Sequence, residues 1–307
     1  MKRFLLKRLA LMAPVLLGAA TLVFLLLHLI PTGAVLDRLL GETAPEDQRD
    51  ALRRELHLDL PVLQQYGIYL RGLVHGDLGR SLEHGRPVTR LILERMPATL
   101  ALAGAAALVA VLVALPAGMI AAWARGGWID RLAMGFSILG VSIPNFWLGP
   151  LLILLFAVQL DWLPVAGMSG PASVILPAVT LGTSMAAYLA RMIRGSLLEE
   201  MASDYVRSAR SKGMGEAAVF FRHLLPNTLI PVITVLALQL GMLLTGAIIT
   251  ESIFAWPGMG LLLLGAIDFR DFPLVQGCVL VIALSYMGMN LAADAAYAWL
   301  DPRIRFS

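Results

Sequence analysis

The strongest constraint on this chain is a series of long apolar runs that carry almost no charge. A helix that crosses the hydrocarbon core of a bilayer needs about 20 consecutive, mostly apolar residues. Six segments meet this requirement, with approximate bounds 9–30, 99–123, a stretch within 132–160, 174–190, 230–254 and 274–300. Only 15% of the 307 residues are charged, whereas soluble domains carry about 25%. The chain is therefore predicted to be an all-α integral membrane protein with six transmembrane helices.

The distribution of Lys and Arg predicts the orientation of these helices, because positive residues accumulate in cytoplasmic loops. With the N-terminus inside, the short outer loops hold only Arg270, and the long loop 31–98 is too long to obey the rule. Both termini are therefore predicted to be cytoplasmic. The inner segments, all containing Lys or Arg, are then 1–8, 125–131, 191–227 and 301–307.

Three regions are predicted along the chain. Residues 1–30 form the N-terminus and first span, 31–98 a long periplasmic loop, and 99–307 the core with spans two to six. The loop is expected to contain amphipathic helices, because "TAPE" at 43–46 has capping-box spacing and residues 60–73 have an apolar face at helical spacing.

One basic segment interrupts the apolar pattern, "DYVRSARSKGMGEAAVFFRHLLPN" at 204–227. Residues 205–212 are predicted to form a helix with its cations exposed. Gly213 follows at the usual place of a left-handed C-terminal cap, and a second helix is predicted from about 215 to 224. This helix–turn–helix could be a solvated loop, a site for anionic lipid headgroups or a rigid lever held by a soluble partner.

Three residues are candidates for lining or gating an internal path. Glu251 places a carboxylate at membrane depth near the outer end of the fifth span, where ionisable residues are functional candidates; a structural tie to a donor or basic neighbour is the alternative. Phe254 follows in the turn "IFAWPG". Asn145 lies between Pro144 and Pro150, which either border a path or produce packing kinks.

The order and spacing of several fragments resemble those of one family, the permease subunits of bacterial ABC importers for dipeptides, oligopeptides and nickel. These fragments are "HLDLPVLQQYGIYLRGLVHGDLGRSL", "SIPNFWLG", "ILPAVTLG", "ESIFAWPGMG", "RDFPLVQG" and "LDPRIR". The cytoplasmic signature of such permeases has the form E-A-A, three residues, G, nine residues, I, one residue, L-P. Matching positions are Ala209, Gly213, Leu225 and Pro226, and departures are Arg207, Ser208 and His223. After the first span, "PTGA" at 31–34 stands where the family often has P-G-D-P.

The resemblance implies a type I ABC importer permease fold in the bacterial inner membrane. It implies a heterodimer with a second, C-type permease, two ABC ATPase subunits, and a periplasmic binding protein that delivers small peptides or chelated nickel. Membrane lipid is an expected partner and nucleic acid is not. Segment 191–228 would hold the coupling helix. The residues expected to couple to an ATPase are Tyr205, Arg207, Ala209, Arg210, Lys212, Gly213, Leu225 and Pro226.

The sequence contains no motif that predicts catalysis. It lacks the G-x-x-x-x-G-K-[ST] phosphate loop, H-E-x-x-H, and paired Cys and His at metal-binding spacing. No catalytic residue, metal or cofactor is therefore expected on this chain, and ATP and Mg would be bound by the partner subunits. The alternative functions are a six-span secondary transporter, a membrane enzyme or a scaffold. Internal repeats and charge pairs typical of secondary transporters are not evident. Dipeptide, oligopeptide, glutathione and chelated nickel all stay open as substrates.

Overall fold

The computed structural model describes residues 2–29 and 32–300. Pro31, the first residue of "PTGA", and the segment after Leu300 with Arg303 and Arg305 lie outside the described residues. Within the described part every regular element is helical, and Arg80 and Pro87 form one isolated β-bridge. The α-helices are α1 (Lys2–His28), α2 (Thr32–Leu40), α3 (Glu46–Glu55), α4 (Val62–Val74), α5 (Val88–Trp123), α6 (Trp128–Ser142), α7 (Asn145–Leu152), α8 (Ile175–Met201), α9 (Asp204–Ser211), α10 (Glu216–Val219), α11 (Leu225–Gly246), α12 (Ile248–Ile253), α13 (Met259–Phe269) and α14 (Phe272–Leu300).

Five helical segments in the described residues are long and apolar enough to cross a membrane. They are Ala10–His28, Val88–Trp123, Pro171–Met201, Glu216–Leu243 and Phe272–Ala295. Helix α6 and the segment Asn145–Gln159, which contains α7 and a π-helical extension, meet the criterion only as a pair bent by 100°. The bend lies at Ile143, whose backbone is extended (φ −82°, ψ 116°), because the residue before a proline is disfavoured in the helical region.

Two glycines indicate that this bent pair crosses the membrane once. A Cβ atom on Gly182 of α8 would lie 2.8 Å from the carbonyl oxygen of Ala106 in α5. A Cβ atom on Gly118 of α5 would lie 2.7 Å from the carbonyl oxygen of Ala190 in α8. The later residues of one helix meet the later residues of the other, so α5 and α8 run in the same direction. Two parallel spans require one crossing between them, and the predicted total of six spans is confirmed.

The described residues form two compact units, of which the first contains Thr99–Trp256 and the described residues from Tyr286 to Leu300. Helix α8 lies at its centre and packs against α6, α7 and α11. Close packing depends on small residues, since a Cβ atom on Gly140 of α6 would lie 3.1 Å from the Cβ atom of Ala187 in α8. This unit contains the basic segment and all three path candidates.

The second unit contains Lys2–Ala98 and Pro257–Ser285. In it the fully buried Asp271 carboxylate accepts hydrogen bonds from Ser81 Oγ at 2.5 Å and from the backbone N–H of Glu83 at 3.1 Å. The same side chain accepts the N–H of Leu274 at 3.2 Å, which caps the first turn of α14. One carboxylate thus joins the loop after "GDLG" to the start of the last span.

The capping box expected at 43–46 is wrong. Helix α3 begins at Glu46, and its N-cap is Pro45 (φ −58°, ψ 146°), without a side-chain cap. The expected box would place Ala44 in the first helical turn directly before a proline. Because that position is disfavoured in the helical region, the helix begins only after Pro45.

Candidate functional site

The basic segment folds as two helices joined by a tight turn, and we call residues 203–227 the cationic hairpin. Its first helix is α9, and its second begins with α10 and passes through a π-helical turn, Phe220–Leu224, into α11. The predicted helix–turn–helix is therefore confirmed. Pro226 does not end the second helix. It lies in the first turn of α11, directly after the π-helical turn Phe220–Leu224.

The turn of the cationic hairpin is a Schellman motif built on Gly213. The φ angle of Gly213 is +80°. The N–H of Gly213 donates a hydrogen bond to the carbonyl oxygen of Arg210 at 2.9 Å, and the N–H of Met214 donates one to the carbonyl oxygen of Ala209 at 3.3 Å. These are the two bonds that define the motif. A Cβ atom at Gly213 would meet nothing within 4 Å. Glycine is thus favoured by the backbone conformation and not by a lack of space, and the predicted left-handed cap is confirmed.

Apolar side chains fasten the cationic hairpin to the ends of two spans. Val206 and Ala209 are both buried on the same face of α9. Complete burial of one large apolar side chain contributes about 1.5–3 kcal/mol to the free energy of folding. These buried contacts therefore hold the hairpin against the helical core. The buried cluster around it consists of Ala122 of α5, Leu197 of α8, Val206, Ala209, Val219, Phe220 and Leu224.

Polar contacts close the hairpin from two sides. Arg210 donates from Nε and Nη2 to the two carboxylate oxygens of Glu216, at 2.8 and 3.0 Å. The Tyr205 hydroxyl donates to the carboxylate of Glu200 and accepts from Asn227 Nδ2 at 3.0 Å, which joins the end of α8 to the start of α11. Burial raises the pKa of Tyr205 above its ordinary value, and the bond to Glu200 acts in the same direction. The hydroxyl therefore keeps its proton at neutral pH.

Sequence reasoning missed Glu200, Glu216 and Asn227. The only signal was for Glu216, whose charge is opposite to that of Arg210 across a glycine turn. Arg210 was expected to meet a partner protein, and it lies exposed in the pair described above. Because such exposed pairs are worth about 0–1 kcal/mol, Arg210 can exchange Glu216 for an acidic group of another protein at little cost.

The cationic hairpin exposes cations and an aromatic ring. Arg207 has 79% of its side chain exposed, and its distance of 3.9 Å to the exposed Asp204 makes a weak pair. Lys212 and Pro226 are exposed, and Leu225 is half-buried. Phe221 is 68% exposed. The exposed cations can bind carboxylates, and the exposed ring can bind an apolar surface.

Two of the path candidates are buried: Glu251 lies within α12, and Phe254 directly follows this helix. Glu251 has 0% of its surface exposed, and its Oε1 accepts a hydrogen bond from Thr99 Oγ1 of α5 at 2.8 Å. Phe254 is buried beside Gly149 of α7, where an added Cβ atom would lie 3.2 Å from the ring of Phe254. The carbonyl oxygen of Phe254 accepts a hydrogen bond from the N–H of Gly167 at 2.8 Å. Both residues thus connect α12 to neighbouring elements.

Asn145, the third path candidate, is the first residue of α7 and follows the bend directly. It is half-buried, while Phe146 and Trp147 beside it are exposed. The structure thus brings Phe254 into contact with α7 one helical turn from Asn145. A role of these residues in a path stays a prediction.

The hydrogen bond between Thr99 and Glu251 can be tested by a shape-matched change. Thr99→Val removes the donor and leaves a fully buried carboxylate with one bond fewer, so we expect the free energy of unfolding to fall by about 1–3 kcal/mol. Thermal melting of the detergent-solubilised protein measures the effect. Thr99→Ser keeps the hydroxyl and should melt near the wild type; equal melting of Thr99→Val and wild type would refute the contribution of this bond.

Comparisons with known proteins cover the whole chain. Residues 114–306 match the family described as binding-protein-dependent transport system inner membrane component, and residues 1–103 match the N-terminal family of the same membrane components. The dipeptide transport system permease protein DppB of Alkalihalophilus pseudofirmus is 38% identical over 334 residues, with 100% of both chains covered. The glutathione transport system permease protein GsiC of Escherichia coli (strain K12) is 40% identical over 306 residues, again with 100% of both chains covered.

Solved structures share the fold at lower identity. A chain of the MetNI methionine ABC transporter in an inward-facing conformation is similar with a TM-score of 0.58 and 20% identity, over 69% of this chain and 97% of that chain. A chain of an amino acid ABC transporter with histidines gives a TM-score of 0.51 and 21% identity, over 70% of this chain and 95% of that chain. At these identities the likeness concerns the fold alone.

Proposed function

Because the chain belongs to the family of binding-protein-dependent transport system inner membrane components and is thereby the permease subunit of an ABC importer, we propose that it imports small peptides. The secondary-transporter alternative is wrong, since the relatives are ABC importer permeases. The chain is a multi-pass inner membrane protein and not an enzyme; the ATPase is a partner subunit.

The observation that carries the substrate proposal is end-to-end similarity to two peptide permeases. The relatives named for dipeptide and glutathione transport align over 100% of both chains, with 38% and 40% identity. Because the similarity extends through every span, it includes whatever part of the chain borders the path. We therefore favour a dipeptide or a short peptide such as glutathione over chelated nickel.

Importers of this family work with a partner permease, an ATPase and a substrate-binding protein. In the proposed complex this chain forms half of the path, and a C-type permease forms the other half as a heterodimer. Two ATPase subunits bind ATP and Mg on the cytoplasmic side, where both termini of this chain also lie. A periplasmic binding protein delivers the peptide from the opposite side.

The cationic hairpin is the proposed contact with one ATPase. Its Schellman turn and buried apolar face support this role, because they make it move together with the inner ends of α5 and α8. Its exposed side chains Arg207 and Lys212 would meet acidic groups of the ATPase, and the exposed Phe221 would meet apolar ones. Exposed ion pairs contribute only about 0–1 kcal/mol each, so apolar and shape contacts must supply most of the affinity.

Glu251, Phe254 and Asn145 are proposed to act at the outer end of the path. Asn145 is half-buried at the bend and can contact substrate. Glu251 and Phe254 are buried and act indirectly, because they hold α12 against α5 and α7. Opening of the path would then require α12 and α7 to move together.

Uptake by the complete importer in proteoliposomes tests the proposed function. The chain is produced with its partner permease, ATPase and binding protein, and the uptake of glutathione, dialanine and a nickel–histidine chelate is compared. We expect ATP-dependent uptake of at least one peptide, and none when the phosphate-loop lysine of the ATPase is replaced. Uptake of the nickel chelate alone, or uptake without ATP, would contradict the proposal.

A further inference from the structure

A partly buried ion pair, with a buried carboxylate and a half-buried guanidinium, joins the third and fourth spans close to the cationic hairpin. Arg194 of α8 donates from Nε to Oδ1 of Asp130 at 2.6 Å and from Nη2 to Oδ2 at 2.7 Å. The N–H of Gly126 donates to Oδ2 at 2.9 Å. Asp130 is 4% exposed and lies in the first turn of α6. The carboxylate thus receives three charge-assisted or backbone hydrogen bonds in a fixed geometry.

The position of the pair connects it to the cationic hairpin. Leu197, in the buried cluster that holds Val206 of α9, lies three residues after Arg194 on the same helix. Residues three apart lie on neighbouring positions of one helical face. A displacement of the hairpin therefore displaces the part of α8 that carries Arg194.

The other end of α6 leads to the path candidates. Helix α6 runs from Asp130 to the bend before Asn145, and α7 then continues to Gly149 and its contact with Phe254. Further along the interface of α6 and α8, Gly140 packs against Ala187. Small apolar residues permit sliding, whereas a bidentate ion pair holds both a distance and an orientation.

We propose that the Asp130–Arg194 pair is a positioning pair that makes the broken third span follow the cationic hairpin, so that movement imposed by the ATPase reaches α7. This inference rests on the proposed function, because it assumes that the hairpin contacts an ATPase. Neither residue touches substrate or nucleotide. The pair acts by keeping α6 and α8 in register while both move.

The test uses the complete importer in proteoliposomes with binding protein and peptide. Asp130→Asn keeps the shape of the side chain and removes its charge. We expect basal ATP hydrolysis within twofold of wild type, stimulation by the peptide-loaded binding protein reduced at least fivefold, and peptide uptake per ATP reduced at least tenfold. Arg125→Gln is the matched control, because it removes a charge five residues before Asp130, where the side chain is exposed, and should leave all three values near those of wild type.

The possible outcomes separate this proposal from its alternatives. Stimulation and uptake per ATP within twofold of wild type would overturn it. A parallel loss of basal hydrolysis, uptake and assembled complex would also overturn it, because the pair would then only stabilise the fold. If Asp130→Asn does not assemble, the same values are measured on Asp130→Asn with Arg194→Gln, which leaves no unpaired charge; failure of that variant to assemble likewise assigns the pair a structural role. A wild-type importer that transports no peptide refutes the proposed function instead.

Discussion

Replacing Gly118 with alanine is expected to remove most of the folded protein from the membrane. The new Cβ atom would lie 2.7 Å from the carbonyl oxygen of Ala190 and 2.8 Å from the Cβ and Cγ2 atoms of Ile193. A backbone oxygen and a β-branched side chain cannot rotate away, so α5 and α8 would have to separate. Overpacking of this kind costs about 1–3 kcal/mol and occasionally more, and we expect the upper end of that range or beyond.

Gly104→Ala is the matched control on the same helix. A Cβ atom at Gly104 would meet nothing within 4 Å, and alanine favours a helix interior over glycine by about 1 kcal/mol. The two variants should therefore change stability in opposite directions. Thermal melting and the yield of monodisperse protein after detergent extraction measure both. Equal melting of the two variants would show that α5 and α8 are further apart than in the structure.

Gly213→Val is expected to abolish transport while the subunit still inserts. A β-branched residue with a positive φ angle is a steric outlier, and the left-handed region costs ordinary residues about 1–2 kcal/mol. Residue 213 could no longer keep a φ angle of +80°, and the two hydrogen bonds of the Schellman motif would be lost. The orientation of α9 would therefore change. We expect the rate of peptide uptake to fall more than tenfold, with the amount of subunit in the membrane unchanged.

Two controls separate backbone conformation from crowding at this turn. Gly213→Asn adds a side chain of similar size, but asparagine tolerates the left-handed region, and most of the uptake should be retained. Gly215→Val should also be tolerated, because Gly215 has φ −66° and ψ 150°, a conformation open to valine. If Gly213→Val transports normally, the hairpin does not act as a rigid lever. If Gly213→Asn is as inactive as Gly213→Val, the defect comes from crowding against a partner.

The elements of the fold were largely predictable because they depend on short-range patterns. A run of about 20 apolar residues determines a span almost alone, since unpaired backbone groups are not tolerated in lipid. The cap at Gly213 was predictable for a similar reason, because a glycine directly after a polar helix favours the left-handed conformation. The expected cap at Thr43 is absent because of another short-range effect, the restriction that Pro45 imposes on the backbone of Ala44.

The environment of the candidate residues was much less predictable. Arg207 and Lys212 are exposed as expected, but Arg210 is paired with Glu216. Glu251 is fully buried against Thr99, 152 residues away in the sequence. Hydropathy places a carboxylate at membrane depth but does not say which helix supplies its donor. That choice depends on which helices become neighbours.

The sequence by itself determined that the chain lies in a membrane, and it determined the local geometry: six spans, a basic helical hairpin and the glycine at the turn of that hairpin. Only the tertiary structure decided the partners: α5 parallel to α8 through Gly118 and Gly182, and Asp130 bound to Arg194 across 64 residues. The physical reason is the range of the interactions. Hydrophobicity and backbone conformation act within about 20 residues, whereas a close helix crossing or a buried ion pair forms only after distant segments pack together.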